Sequence, residues 1–254
     1  MKILHTAIIS IIFLSSLYSS VDFTENIIST DLRNPYSVFA LDLDDDGDVD
    51  VLTASDNDDK IVWYENDGNQ NYTEQVISNN ANGARPIFPI DLDGDDDIDV
   101  VAGCKDDNKV AWYENDGSEV FTEHVISTNA DNVLGVFAID VDGDGDLDVL
   151  STSSQDNKVA WYENDGSELF TEQVISTEAS GVASVSAADF DGDGDVDVVS
   201  GCVGDGKILL YENDGSQVFT QRLIHTNWGV SSLHSVDLDK DGDMDVLSGT
   251  FYDN

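Results

Sequence analysis

The chain has 254 residues, with 53 acidic and 10 basic side chains and a formal net charge of −43. Such a charge argues against nucleic acid and anionic membrane surfaces as partners, because both attract basic patches. The length suits one large domain or two small ones, and the absence of a linker or a shift in composition favours one repeat domain.

The first 20 residues have the pattern of a secretion signal. Lys2 supplies the positive start, "AIISIIFL" is a short apolar core, and "SSLYSS" supplies small residues. The apolar run is short for a membrane span, although a retained N-terminal anchor is the alternative. We therefore predict a signal peptide at 1–20, a repeat domain at 21–254, a secreted or cell-surface location, and no membrane insertion after signal removal.

One acidic phrase recurs five times along the rest of the chain. It reads "DLDDDGDVDV" from Asp42, "DLDGDDDIDV" from Asp91, "DVDGDGDLDV" from Asp140, "DFDGDGDVDV" from Asp189 and "DLDKDGDMDV" from Asp237. The phrases "WYENDG" and "FTEQVIS" keep step with it, so the chain is an internal repeat with a period near 49. These loops hold 27 acidic residues and four "ENDG" turns add eight, which indicates specific sites more than a diffuse acidic coat.

Each repeat predicts four short strands. In the third they are "GVFAIDVD", "DLDVLSTSS", "NKVAWYEN" and "SELFTEQVIS", with a tight Asp-Gly turn before the last. Four strands per repeat indicate an all-β fold made of the four-stranded antiparallel blades of a β-propeller. The repeated aromatic residues would fill the interfaces between blades, and a sugar-stacking platform is the alternative; they are Trp63, Trp112, Trp161, Tyr64, Tyr113, Tyr162 and Tyr211.

The two ends of the pattern match only parts of a repeat. "DFTENIIS", from Asp22, matches the final strand, and the C-terminal "SVDLDKDGDMDVLSGTFYDN" matches the first half. About four and a half repeats are thus present, and we expect an arc or an incomplete ring cut off in mid-repeat.

Two cysteines occupy the same repeat position two repeats apart, Cys104 in "VAGC" and Cys202 in "VSGC". Equivalent positions in blades that do not touch are out of disulfide reach. We expect both thiols to be buried and unpaired.

The acidic loops suit a hard cation. Carboxylates stand at loop positions 1, 3, 5, 7 and 9, with Gly at position 6 in four of the five loops. Ca²⁺ takes six to eight oxygen ligands, and the loops contain no Cys or His for a softer metal. An EF-hand is excluded, because position 12 of the first loop is Thr53 and the flanks are predicted strands. A merely solvated acidic turn is the alternative.

The loops, with "VFA" before them and "DVVSG" after them, resemble FG-GAP or VCBS repeats, the family of the integrin α-subunit propeller, over about residues 22–254. The resemblance implies that positions 1, 3, 5 and 9 bind up to five Ca²⁺ ions through side chains, and that position 7 binds through its carbonyl. For each loop, the four side-chain ligands come first and the carbonyl ligand last: Asp42, Asp44, Asp46, Asp50 and Asp48; Asp91, Asp93, Asp95, Asp99 and Asp97; Asp140, Asp142, Asp144, Asp148 and Asp146; Asp189, Asp191, Asp193, Asp197 and Asp195; and Asp237, Asp239, Asp241, Asp245 and Asp243. The second loop departs by placing Asp96 where the others have Gly.

Three functions are compatible with these features. The favoured hypothesis is a non-catalytic, Ca²⁺-stabilised adhesion module that binds an extracellular protein or glycan through its variable blade-to-blade loops, where Arg85 and Trp228 are candidate anchors. A structural spacer in a larger surface protein is the second. A polysaccharide-acting enzyme is the third, but no histidine falls in a nucleophile motif, and the Lys before each third strand suggests a structural ion pair.

Overall fold

The computed structural model describes residues 25–226 and 228–251, so the predicted signal at 1–20 lies outside the described residues. These residues form 18 β-strands and no helix, which confirms the all-β prediction. None of the described segments is a helix of the length and hydrophobicity that crossing a membrane requires. The strands are β1 Pro35–Leu41, β2 Asp50–Ser55, β3 Lys60–Asn66, β4 Tyr72–Ser78, β5 Ala84–Ile90, β6 Asp99–Cys104, β7 Lys109–Asn115, β8 Phe121–Ser127, β9 Val133–Ile139, β10 Asp148–Ser153, β11 Lys158–Asn164, β12 Phe170–Ser176, β13 Val182–Ala188, β14 Asp197–Cys202, β15 Lys207–Asn213, β16 Phe219–Thr226, β17 Val230–Val236 and β18 Asp245–Thr250.

Each of the first four repeats is one antiparallel four-stranded sheet whose strands pair in chain order. The second strand of the second, third and fourth sheets is buried along its whole length. This is because both faces of an inner sheet are covered by its neighbours. The fifth sheet contains β17 and β18 alone among the described residues.

The first strands of the five sheets pack side by side in chain order, from β1 to β17. They line a central cavity of about 500 Å³. Phe39, Phe88 and Phe137 meet there, with ring centroids 6.4 and 4.8 Å apart. The first and fifth sheets do not join, so the described residues form an open arc, as expected from four and a half repeats.

Neighbouring sheets are held together by one buried cluster per interface, and three of the four clusters contain a tryptophan. Trp63 of the first sheet lies in a buried cluster with Ile87 and Tyr113 of the second. Trp112 and Trp161 take the same place in the next two interfaces, and Leu210 takes it between the fourth and fifth. These aromatic residues are buried, which confirms the packing interpretation and leaves no exposed face for sugar stacking.

The two cysteines are buried and unpaired, as predicted. Cys104 ends β6 in the second sheet and Cys202 ends β14 in the fourth. Burial raises the pKa of Cys104 to about 11 and that of Cys202 to about 12. Both thiols therefore behave as small apolar core groups.

The N-terminal segment does not form the strand that its sequence match suggests. Residues 25–34 are irregular and do not enter the fifth sheet. They lie beside the first sheet instead, where Ser29 and Tyr64 line the same pocket.

Candidate metal centres

Each acidic loop joins the first two strands of a sheet and gathers three carboxylates. In every loop, the side chains at positions 1, 3 and 9 offer oxygens that all lie within 4.8 Å of one another. The groups are Asp42, Asp44 and Asp50; Asp91, Asp93 and Asp99; Asp140, Asp142 and Asp148; Asp189, Asp191 and Asp197; and Asp237, Asp239 and Asp245. Five equivalent candidate cation sites follow.

The carboxylate at position 9 is the firmly held member of each site. In the third loop Asp148 is buried and accepts backbone N–H bonds from Val141 at 2.9 Å and Asn164 at 2.8 Å. The same pair of bonds holds the position-9 aspartate in the first, second and fourth loops. Burial nevertheless raises the pKa of Asp148 to about 6 and that of Asp99 to about 7. A nearby cation would favour the charged form.

The rest of the loop wraps around its own carboxylates. Asp140, at position 1, accepts backbone N–H bonds from Gly143 at 2.7 Å and Gly145 at 3.0 Å. Asp144, at position 5, accepts the N–H of Asp146 at 3.0 Å. The side chains at positions 5 and 7 are not part of the three-carboxylate group. The predicted ligation by the position-5 side chain and the position-7 carbonyl stays a prediction.

Two loop positions, and not only position 6, adopt left-handed backbone. At position 6, Asp96 has φ 75° where the glycines have φ 94–102°. Asp can stand in for Gly at this position because it visits the left-handed region more readily than most residues. At position 4, Asp45 and Lys240 have φ 58° and 60° where the other loops have Gly, which the residue types alone do not indicate.

The asparagine of "WYEN" is a supporting residue that the sequence analysis missed. Besides its N–H bond to Asp148, Asn164 donates its side-chain amide to the Leu147 carbonyl at 3.2 Å. The glycine two residues later packs closely on the loop: a Cβ at Gly166 would lie 2.5 Å from a carboxylate oxygen of Asp146. The recurrence of "ENDG" in four repeats was the available signal.

The donor chemistry fits a hard divalent cation. Each group consists of carboxylates alone, which suits Ca²⁺ or Mg²⁺ over softer metals. In the first loop, one oxygen of Asp42 is buried without a hydrogen-bond partner among the described residues. Burial and the neighbouring carboxylates raise the pKa of Asp44. A cation would satisfy this oxygen and offset the repulsion.

The other candidate residues have structural roles. The Lys that begins each third strand pairs with a carboxylate, for example Lys109 with Glu123 at 2.5 Å and Lys158 with Glu172 at 2.6 Å. This confirms the expected ion pair. Arg85 bonds to Asp56 of the first sheet at 3.0 Å, which ties two sheets together. The other anchor candidate, Trp228, is 76% exposed.

Comparison with known proteins gives a family match and a fold match. The profile of the FG-GAP-like repeat matches four overlapping segments, residues 42–102, 91–151, 140–200 and 189–248. The solved structure of a streptogramin B lyase, a propeller, aligns with a TM-score of 0.55 and 15% identity over 78% of this chain. The aligned part is 58% of the lyase chain, and at this identity the likeness concerns the fold alone. No curated protein matches the chain.

Proposed function

This chain belongs to the family of FG-GAP-like repeat proteins, and from that premise we propose that it is a calcium-stabilised, non-catalytic binding module of the cell exterior. The observation that carries the proposal is the three-carboxylate group at positions 1, 3 and 9, repeated in five loops with the same geometry.

The cation has a clear structural task in this proposal. Each loop concentrates five or six carboxylates within nine residues. Two unit charges about 4 Å apart repel by about 1 kcal/mol even in water and by more near protein. A Ca²⁺ ion replaces this repulsion with attraction, and five ions would change the formal charge from −43 to −33.

The binding role is assigned to the end of the sheets opposite the acidic loops. Antiparallel pairing in chain order places the acidic loops and the "ENDG" turns at one end of each sheet, and the blade-to-blade connections at the other. These connections differ between repeats, as in "NNANGARPI", "TNADNVLG", "TEASGVAS" and "TNWGVSS". We propose an extracellular protein or glycan as the partner, and secretion through the segment at 1–20.

Calcium stoichiometry tests the metal part of the proposal. Isothermal titration of the metal-free protein with Ca²⁺ is expected to give five ions per chain, and four for Asp148→Asn. The matched control is Asp165→Asn, which removes one charge from the neighbouring exposed turn and is expected to keep five. Zero stoichiometry, or equal loss in both variants, would contradict the proposal.

The binding part needs a separate test. A glycan array and capture from extracellular protein fractions, each with Ca²⁺ and with a chelator, are expected to yield a calcium-dependent partner. If no partner is found while the calcium stoichiometry holds, the spacer hypothesis replaces the binding module. Turnover on a polysaccharide panel that is lost in His234→Ala would replace it with an enzyme.

A further inference from the structure

An apolar pocket of about 300 Å³ opens on the first sheet, on the side away from the second. We name it the first-sheet pocket; seven of its lining residues are Ile28, Leu32, Pro35, Val38, Val51, Thr53 and Tyr64. It lies apart from the acidic loops, and the proposed function does not use it.

The lining has a counterpart inside the protein. Adding the repeat period of 49 to these seven numbers gives Ile77, Ala81, Ala84, Ile87, Val100, Ala102 and Tyr113, all of which belong to the buried cluster that contains Trp63. Six of these seven repeat positions recur in the clusters that contain Trp112 and Trp161, and serine stands at the seventh. The first-sheet pocket is thus the wall of a tryptophan site without its tryptophan.

The neighbours of the tyrosine hydroxyl repeat this correspondence. In the internal interfaces, a serine at the end of one outer strand lies near the tyrosine of the next sheet, Ser78 near Tyr113 and Ser127 near Tyr162. Ser29 lies near Tyr64 in the same way, and both line the first-sheet pocket. The segment around Ser29 therefore occupies the outer-strand place of a preceding blade, and the place of that blade's tryptophan strand is the pocket.

The exposed fraction of Val38 shows that the N-terminal segment covers the first-sheet pocket only in part. Val38 is 68% exposed, whereas its repeat equivalents Ile87, Val136 and Val185 are 3%, 8% and 6% exposed. Val38 thus belongs to a face that is buried in the three internal interfaces and open on the first sheet.

We propose that the first-sheet pocket binds the tryptophan of a strand of the same type, Lys-aliphatic-x-Trp-Tyr-Glu-Asn, supplied by a segment outside these 254 residues. The internal interfaces identify the occupant, because there the equivalent faces receive Trp63, Trp112 or Trp161. Those three tryptophans are already buried, and the residues that the structure does not describe include no tryptophan.

The test uses the chain's own strand sequence as the probe. A capped peptide with the sequence of Lys109–Asn115 is titrated against the isotope-labelled full chain in millimolar Ca²⁺ and followed by NMR. Saturable shifts are expected at Val51, Thr53 and Tyr64. The peptide with Trp112→Ala is expected to bind at least about tenfold more weakly, as for loss of a buried anchor.

Two protein variants locate the site. Val38→Asp places a charge at the rim of the pocket and is expected to abolish the shifts; because Val38 is exposed, the fold should tolerate the change. Val76→Asp is the control, since it changes an exposed valine on the outer strand of the same sheet. Binding that ignores Val38→Asp, or that ignores the loss of tryptophan from the peptide, would overturn the proposal.

Two other occupants are also distinguished. If free indole binds as tightly as the peptide, the pocket is a small-molecule site and the strand proposal fails. If the chain self-associates and Trp228→Ala abolishes both self-association and competition with the peptide, the occupant is a second copy, and the proposal fails in that way. Loss of calcium binding alone leaves the peptide result interpretable, because the two sites share no residue.

Discussion

Removal of calcium is expected to cost this protein a large part of its folding free energy. Extracellular calcium modules typically bind with dissociation constants of about 10⁻⁴ to 10⁻³ M. At free Ca²⁺ ten times the dissociation constant, one site adds RT ln 11, about 1.4 kcal/mol, provided that the unfolded chain does not bind. Five independent sites would add about 7 kcal/mol, which is comparable to the whole stability of a typical domain.

The same linkage also predicts how steeply the folding free energy depends on the free Ca²⁺ concentration. Once the sites are saturated, each further tenfold rise in free Ca²⁺ adds about 1.4 kcal/mol per bound ion. Five ions therefore predict a slope of about 7 kcal/mol per decade of free Ca²⁺. Separately, loss of the roughly 7 kcal/mol gained at ten times the dissociation constant predicts a melting temperature roughly 15–25 °C lower in chelator for a chain of this size. The slope counts the ions without any assumption about their affinity.

Urea unfolding followed by tryptophan fluorescence is the appropriate assay. Trp63, Trp112 and Trp161 lie in the sheet interfaces and report when these interfaces open. The series runs from excess chelator to millimolar Ca²⁺, with NaCl at matched ionic strength as the control. Superimposable curves in Ca²⁺ and chelator would refute the reasoning, because the carboxylate groups would then hold no ion that matters to folding.

Three further outcomes are expected. Without metal, stability should rise as pH falls from about 7.5 to about 5, because burial raises the folded-state pKa of Asp99 to about 7. Above that pKa, the ionised Asp99 carboxylate destabilises the folded state in full; the destabilisation shrinks as the pH falls towards the unfolded-state pKa near 4. Urea midpoints in chelator at about pH 7.5 and about pH 5 measure this rise in stability, and a fall would contradict the prediction. Gly166→Ala should destabilise by about 1 kcal/mol or more beyond Gly143→Ala, since both glycines have positive φ but only the Cβ at Gly166 meets a carboxylate; equal urea midpoints would show that the contact is not tight. The Cys104 thiol should resist alkylation in the folded protein and react in urea, since it is buried and its pKa is raised to about 11; rapid labelling of the native state would mean that the core opens.

The repeat made most of the fold predictable from the sequence. The strands, the paired carboxylates and the buried tryptophans all follow from side-chain alternation and turn chemistry within about 49 residues. The contact between Asn164 and Asp148 was not predictable in this way, because it depends on the register of β10 and β11 across 16 residues.

The path of the N-terminal segment could not be predicted from the sequence either. "DFTENIIS" carries the pattern of an outer strand, and Ser29 does lie near Tyr64 as an outer-strand serine would. A strand, however, needs a neighbour to take its backbone hydrogen bonds. Residues 25–34 have no such ladder in the described part of the chain. The segment therefore lies where an outer strand would lie, but it does not form a strand.

The two kinds of site respond differently to the number of repeats. A metal centre is complete within a single sheet, because Asp140, Asp142, Asp148 and the supporting Asn164 come from one repeat. A tryptophan cluster, by contrast, is shared by two adjacent sheets. Duplicating one 49-residue unit in a gene therefore adds a complete candidate ion site at once. A tryptophan cluster, however, forms only where the new unit packs against its neighbours. The number of candidate ion sites grows with the count of units, whereas the packing between units depends on each junction, and at the junction between the fourth and fifth sheets Leu210 stands in place of tryptophan.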